Sequence, residues 1–296
     1  MEFTKPPLTF EEQADLLVSR GLIADRDQLI NRLRSVNYYR MSGYLYNFRR
    51  PDDSYHPGTT LDTVWRHYTF DRRLRLLVMD ALERVEVAVR TQLAYHFAHE
   101  YGPFAYTDRT KLAGLDEEKF QQWQTDLDNE LGRSKERFLL HFRDKYGDHH
   151  QYPPVWMLVE VMSFGRTLSF YNGVDTRIRD RIAIGYKIPE VVLQSWLRAL
   201  NTIRNICAHH GRLWNRELGV KPLLPGQNKF PEWYAPVPIP KNKMFGILTI
   251  LNHLLRYAAP TSRWDERLRT LIADYQDIPL RWMGLPPDWL DSPLWK

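Results

Sequence analysis

One long apolar stripe constrains this chain more than any other feature. Between Leu61 and Glu100, Leu74, Leu77, Val78, Ala81, Leu82, Val85, Val89, Leu93 and Phe97 recur at intervals of three and four. That is the period of a helix buried along one side. Gly102-Pro103 closes the run, because the residue before a proline leaves the helical region. Periodic stretches also predict short helices at Phe10–Arg20 and Asp27–Val36, with Gly21 placed as a C-terminal cap. After the long helix come a charged helical stretch, Asp116–Tyr146, then Val155–Phe164, Thr176–Ala183, Glu190–Trp214, Lys243–Ala259 and Trp264–Tyr275. Pro189 suits the first turn of Glu190–Trp214. Strand-like alternation is almost absent, so the fold class is all-α. Six prolines within residues 220–243 exclude a long helix or a regular sheet there. The chain divides into an N-terminal helical extension (1–60), a helical core (61–219) and a Pro-rich, partly helical C-terminal region (220–296).

At 43% hydrophobic and 26% charged residues, the chain has a globular composition, which argues against disorder or a fibre. No run approaches the roughly 18 apolar residues of a membrane span. Met1–Phe10 lacks a basic then apolar leader. A single cysteine excludes an internal disulfide and a multi-cysteine zinc site. A cytoplasmic protein without membrane contact is expected. The net charge of +5 is localised: residues 153–216 hold nine basic and four acidic residues, a surplus equal to that of the whole chain. Such a surplus is a footprint for a polyanion, or else a solvated face with no partner.

The predicted helix Glu190–Trp214 draws most of that charge. On a wheel, Val192, Trp196, Ala199, Leu200, Ile203, Ile206, Cys207, His210 and Trp214 fall on the core side. Asn201, Arg204, Asn205, Ala208, His209 and Arg212 fall opposite, with no acid among them. Asparagine is a mediocre helix former, so this is an odd choice for a plain solvated face. The set is chemically coherent. Histidine moves protons near neutral pH, arginine stabilises charge growing on a phosphate, and asparagine can position either. Arg204 and His209 diverge by about 140° and flank a groove floored by Ala208. The set suits metal-independent cleavage of RNA, in which the substrate's 2′-hydroxyl is the nucleophile. A polar helix–helix contact is the alternative.

Arg204-Asn205-Ile206-Cys207-Ala208-His209 resembles the R-N-x-x-x-H motif of the HEPN superfamily of helical ribonucleases. More narrowly, the chain is similar to abortive-infection proteins of the AbiD/AbiF type over most of residues 5–220. The resemblance includes Asn37-Tyr38-Tyr39-Arg40-Met41-Ser42-Gly43-Tyr44, the helix Val85–Leu93, Tyr101-Gly102-Pro103-Phe104, Pro154-Val155-Trp156-Met157 and Arg204 to Trp214. It implies a HEPN-like bundle and a role in bacterial anti-phage defence, with His209 as acid/base, Arg204 as charge stabiliser and Asn205 as positioner. It further implies a homodimer, because two motif-bearing domains form one composite site, and a bound small noncoding RNA. A non-catalytic RNA-binding protein of the same fold and a protein-interaction module in defence signalling are the alternatives.

Arg198, Asn201, Arg212 and Arg216 are candidate RNA contacts, and Glu86, Arg90 and His210 are candidate supports of the motif. His210 is expected on the core side, and Cys207 is expected to be a buried inert thiol. Glu86 and Arg90, four apart, either form a surface ion pair or orient the motif helix. The pairs His96/His99 and His149/His150 lack a ligand frame, so no metal or other cofactor is expected. Tyr38, Tyr39, Tyr44 and Tyr46 are expected to pack the N-terminal helices on the bundle rather than stack on unpaired bases. Pro222–Pro240 is a lid or a connector. Trp282, Trp289 and Trp295 are expected to tuck back onto the core.

Overall fold

The computed structural model describes residues 2, 4 and 6–296; Met1, Phe3 and Lys5, part of the stretch read for a leader, lie outside them. The chain opens with α1 (Phe10–Ser19), α2 (Arg26–Ser35) and α3 (Tyr38–Leu45). A capping box of Thr9 and Glu12 starts α1, and Asp25 and Asn37 cap the next two. Most of the aromatic cluster is thus itself a helix, started by the Asn37 side chain accepting the Tyr39 N–H at 2.7 Å.

Helix α4 (Leu61–Tyr101) is the predicted long element, begun by the Thr60 side chain and ended by Gly102 at φ +90°. At about 1.5 Å per residue it is about 60 Å long, so one partner cannot cover its apolar side. The partners along it are α3, α7 (Val155–Val161), α8 (Phe164–Gly173), α9 (Thr176–Gly185), α10 (Glu190–Ala208), α11 (Met244–Ala258) and α12 (Trp264–Asp274). Its stripe from Leu74 to Phe97 is buried throughout. Among the described residues there is no strand, only two isolated bridges, and the fold is all-α.

The structure departs from the predicted spans in several places. The stretch 116–146 is two helices, α5 (Glu117–Arg133) and α6 (Arg137–Tyr146), because Ser134 turns to ψ 130°. Gly165 and Gly173 lie inside α8, a helix that falls almost wholly between the predicted spans. Ser163 caps that helix, and Gly173 leaves room for Leu115, whose nearest atom would stand 3.1 Å from an added Cβ. Helix α10 stops at Ala208, six residues before the predicted end.

The C-terminal region packs on the same core. Nearly all of α11 is buried against α4, and the Trp264 indole N–H donates to the Leu77 carbonyl of α4 at 2.8 Å. Trp289 and Trp295 are buried and Trp282 is partly buried, as the expected tucked tail requires. The Pro-rich segment lies against α10: the Trp196 indole N–H donates to the Leu223 carbonyl at 2.7 Å, and the Leu223 N–H to Ser195 Oγ at 2.9 Å. Among the described residues no helix is long and apolar enough to cross a membrane.

Candidate functional site

The site is built where α10 ends. His209 is the C-cap, and His210 follows in the left-handed region at φ +56°. The Gly211 N–H donates back to the Ile206 carbonyl at 2.7 Å and the His210 N–H to the Cys207 carbonyl at 3.0 Å. These two bonds form a Schellman turn, with a histidine where glycine is usual. Gly211 is closely packed, since an added Cβ would meet Ile206 Cγ2 at 3.1 Å and the Ile206 carbonyl oxygen at 3.2 Å. The wheel therefore fails beyond Ala208. His210 is exposed rather than core-side, and Ile206 is only partly buried. Trp214 is buried as expected, but the turn that follows α10 carries it there.

A buried polar clamp fixes that turn. Asp71 Oδ1 accepts the backbone N–H groups of Leu213 and Trp214 at 2.9 and 2.8 Å. Its Oδ2 accepts the Tyr44 hydroxyl at 2.6 Å and pairs with the Arg75 guanidinium. Asp71, Arg75 and Tyr44 are all buried. Arg75 also reaches the Gly211 carbonyl at 3.4 Å, and Arg40 on α3 donates to the His210 carbonyl at 2.7 Å. Arg212 returns a bond to the Gly43 carbonyl. Residues 40–44 and 209–214, two separate blocks of the sequence, thus meet as one unit on α4. Sequence reasoning missed Asp71 and Arg75. The signal was there: Asp71 stands three and seven positions before Leu74 and Val78, on the apolar stripe itself.

Arg204 is half-buried, and Asn205 and His209 are exposed, so the trio reaches the surface at one helix end. Glu86 and Arg90 are a largely buried ion pair, not a surface one. Arg90 Nε also donates to Thr167 Oγ1 at 3.3 Å, and its guanidinium bonds the Met162 carbonyl, which ties α4 to α8. Burial pushes the Glu86 carboxyl above the usual carboxylate range, and Arg90 and then Arg204 draw it back. Arg204 therefore lies in the field of this pair, and the back of α10 has an acid close by that α10's own sequence does not show.

The local charge is sharper than the sequence implied. Of the nine basic residues in 153–216, Arg166, Arg177, Arg179 and Arg181 pair with carboxylates. Arg198, in the middle of α10, and Arg204, Arg212 and Arg216, at the motif end, have no carboxylate within 4.0 Å among the described residues, and neither has Lys187. Arg198 and Arg216 are exposed, and Arg216 Nε donates to the Arg212 carbonyl at 3.0 Å. Asn201 is less open: it lies beside Gly165 of α8, where an added Cβ would stand 4.0 Å from its amide.

Burial pushes the Cys207 thiol up to about 12, as expected for an inert core cysteine. His150 stacks on Phe104 at 4.3 Å, and His99 Nδ1 lies 2.8 Å from the Tyr95 carbonyl. Among the described residues, no three His, Cys, Asp or Glu side chains gather as a metal ion would need. The arrangement can bind an anion, move a proton and stabilise charge on phosphate. Among known protein families, the one described as Abi-like protein matches residues 31–215. No curated protein and no solved structure matches the chain.

Proposed function

This chain belongs to the Abi-like protein family, and from that premise we propose that it is a metal-independent HEPN endoribonuclease of the AbiD/AbiF type, acting in abortive infection. The observation that carries this reading is the end of α10. Arg204, Asn205 and His209 reach the surface together with three further arginines, Arg198, Arg212 and Arg216, that have no carboxylate partner among the described residues, and the turn that follows is held from below by the buried Asp71 clamp. In the proposed step, the substrate's 2′-hydroxyl attacks the adjacent phosphorus and the bond to the 5′-oxygen breaks. His209 moves the proton, Arg204 stabilises the added charge on the phosphate, and Asn205 positions them. The products carry 2′,3′-cyclic phosphate and 5′-hydroxyl ends. Because each chain offers one Arg204/His209 pair, two chains facing across a two-fold axis complete the proposed site. A polyanion at the seam offsets the repulsion between their basic segments, and a bound noncoding RNA fits that role.

The test is cleavage of RNA by the purified chain. Cleavage should persist in EDTA, vanish when the sugar at the cut is 2′-deoxy, and leave the ends named above. His209→Ala should remain folded, within ~1 kcal/mol of the parent, because His209 is exposed. It should also be inactive. Equal cleavage of the DNA analogue would reject the mechanism. RNA that co-purifies intact and is never cut would favour the non-catalytic RNA-binding reading instead.

A further inference from the structure

Two of the four N-terminal tyrosines do not pack as the sequence led us to expect. Tyr44 is buried and Tyr38 half-buried, but Tyr39 is 85% exposed and Tyr46 is 66% exposed. Tyr39, Ser42 and Gly43 of α3 and its C-cap Tyr46, whose backbone is still helical, share one face at the i, i+3, i+4 and i+7 spacing. The face is two aromatic rings about 10 Å apart along the axis, at about 1.5 Å per residue, over a floor of small residues. An added Cβ on Gly43 would meet nothing within 4 Å, so the floor is open.

This face lines a groove of about 910 Å³ between α3, α1 and the turn at 49–55. Its charge is one-sided. Among the described residues, Arg20, Arg49 and Arg212 line it against a single carboxylate, Asp53, which pairs with Arg49 and lies 4.0 Å from Arg20. Exposed aromatic faces among guanidinium groups are the usual means of holding unpaired bases and their phosphates. A duplex hides its base faces and gains nothing from the rings. The groove is also continuous with the motif, because Arg212 lies three residues after His209 and is tied to Gly43 in the floor.

We propose that this groove binds a single-stranded segment of RNA, with Tyr39 and Tyr46 stacking on unpaired bases and Arg20, Arg49 and Arg212 facing the backbone. The proposal deepens the ribonuclease reading and rests on it for where the strand leads: out of the groove past Arg212 to His209.

The experiment is an anisotropy titration of the full chain with a labelled single-stranded RNA, set against a duplex of the same length. An oligonucleotide of about ten nucleotides falls within the usual range of single-strand site sizes. Both arms use the His209→Ala background, so that the probe is not consumed. Replacing Tyr39 and Tyr46 together by alanine should weaken single-strand binding at least about 30-fold, while the Tyr39→Phe, Tyr46→Phe pair stays within about threefold. Both positions are exposed, so unchanged melting of the variants checks that the fold is intact. Equal affinity of the alanine pair and its parent, no preference for single strand over duplex, or no binding at all would each overturn the proposal. Tyrosine-dependent binding by a wild-type chain that never cuts RNA keeps the groove and rejects the ribonuclease. Cutting at unchanged KM and kcat by the alanine pair does the reverse.

Discussion

Asp71 links the core of the molecule to its surface chemistry. Its two oxygens accept two backbone amides and a hydroxyl and face a buried guanidinium, so every bonding capacity of the carboxylate is used. Removing one partner of such a group is costlier than never building it, because the remaining charge stays buried and unpaired. Asp71→Ala should therefore lose about 3–5 kcal/mol of stability, read as a lower urea midpoint. A loss within the ~0.5 kcal/mol of an ordinary surface change would mean that the clamp does not hold the turn. Charge on an apolar stripe is visible in a sequence, but its purpose is not. Nothing near Asp71 in the chain shows that its partners are the amides of residues 213 and 214.

Helices α4 and α10 show what periodicity can and cannot see. The end of α4 was legible within one residue, because Gly102-Pro103 marks it. The end of α10 was not, because apolar spacing runs on through Trp214 while the backbone has already turned at His210. A left-handed histidine is a rare cap, and Gly211 one position later gives no warning of it. The candidate trio was found because Arg204 and Asn205 lie inside the regular helix. Arg212 lies past the end of α10, where the wheel no longer describes the backbone, and the turn ties it to the Gly43 carbonyl. The cap also makes a prediction. His210→Gly relieves a conformation that costs an L-residue about 1–2 kcal/mol, and glycine is the residue this turn favours. The variant should melt higher, by about 1 kcal/mol of added stability. A lower melting point would show that the His210 side chain supports the fold. Loss of cleavage in the stabilised variant would give that side chain a chemical role, with the backbone strain retained for function.

Taken whole, the molecule buries titratable groups that set its response to acid. His67 and His253 both have pKa values below the ordinary histidine value of 6.5, mainly through burial, with backbone carbonyls opposing that shift. The unfolded chain takes up these protons first as pH falls, so stability is present above pH 6.5 and is lost below it. Each histidine contributes at most about 1.4 kcal/mol per pH unit. Glu86 and Glu190, raised by burial, act in the opposite sense from 4.5 upward. A melting series from about pH 8 to 5.5, run on the parent and on His253→Phe, separates the two. The variant should be less stable at every pH, since the Tyr186 carbonyl loses its partner, yet less sensitive to acid. Equal slopes would remove His253 from the account. The length of α4 has a consequence on the ribosome. About 160 residues separate its end from Trp264, which caps the Leu77 carbonyl, and at about 5–20 residues per second that interval lasts about 8–33 s. For that time the apolar side of α4 waits for α11 and α12, which have not yet been made. Synthesis of this chain therefore depends on whatever shelters a nascent helix, and slowing translation between 102 and 264 lengthens the wait.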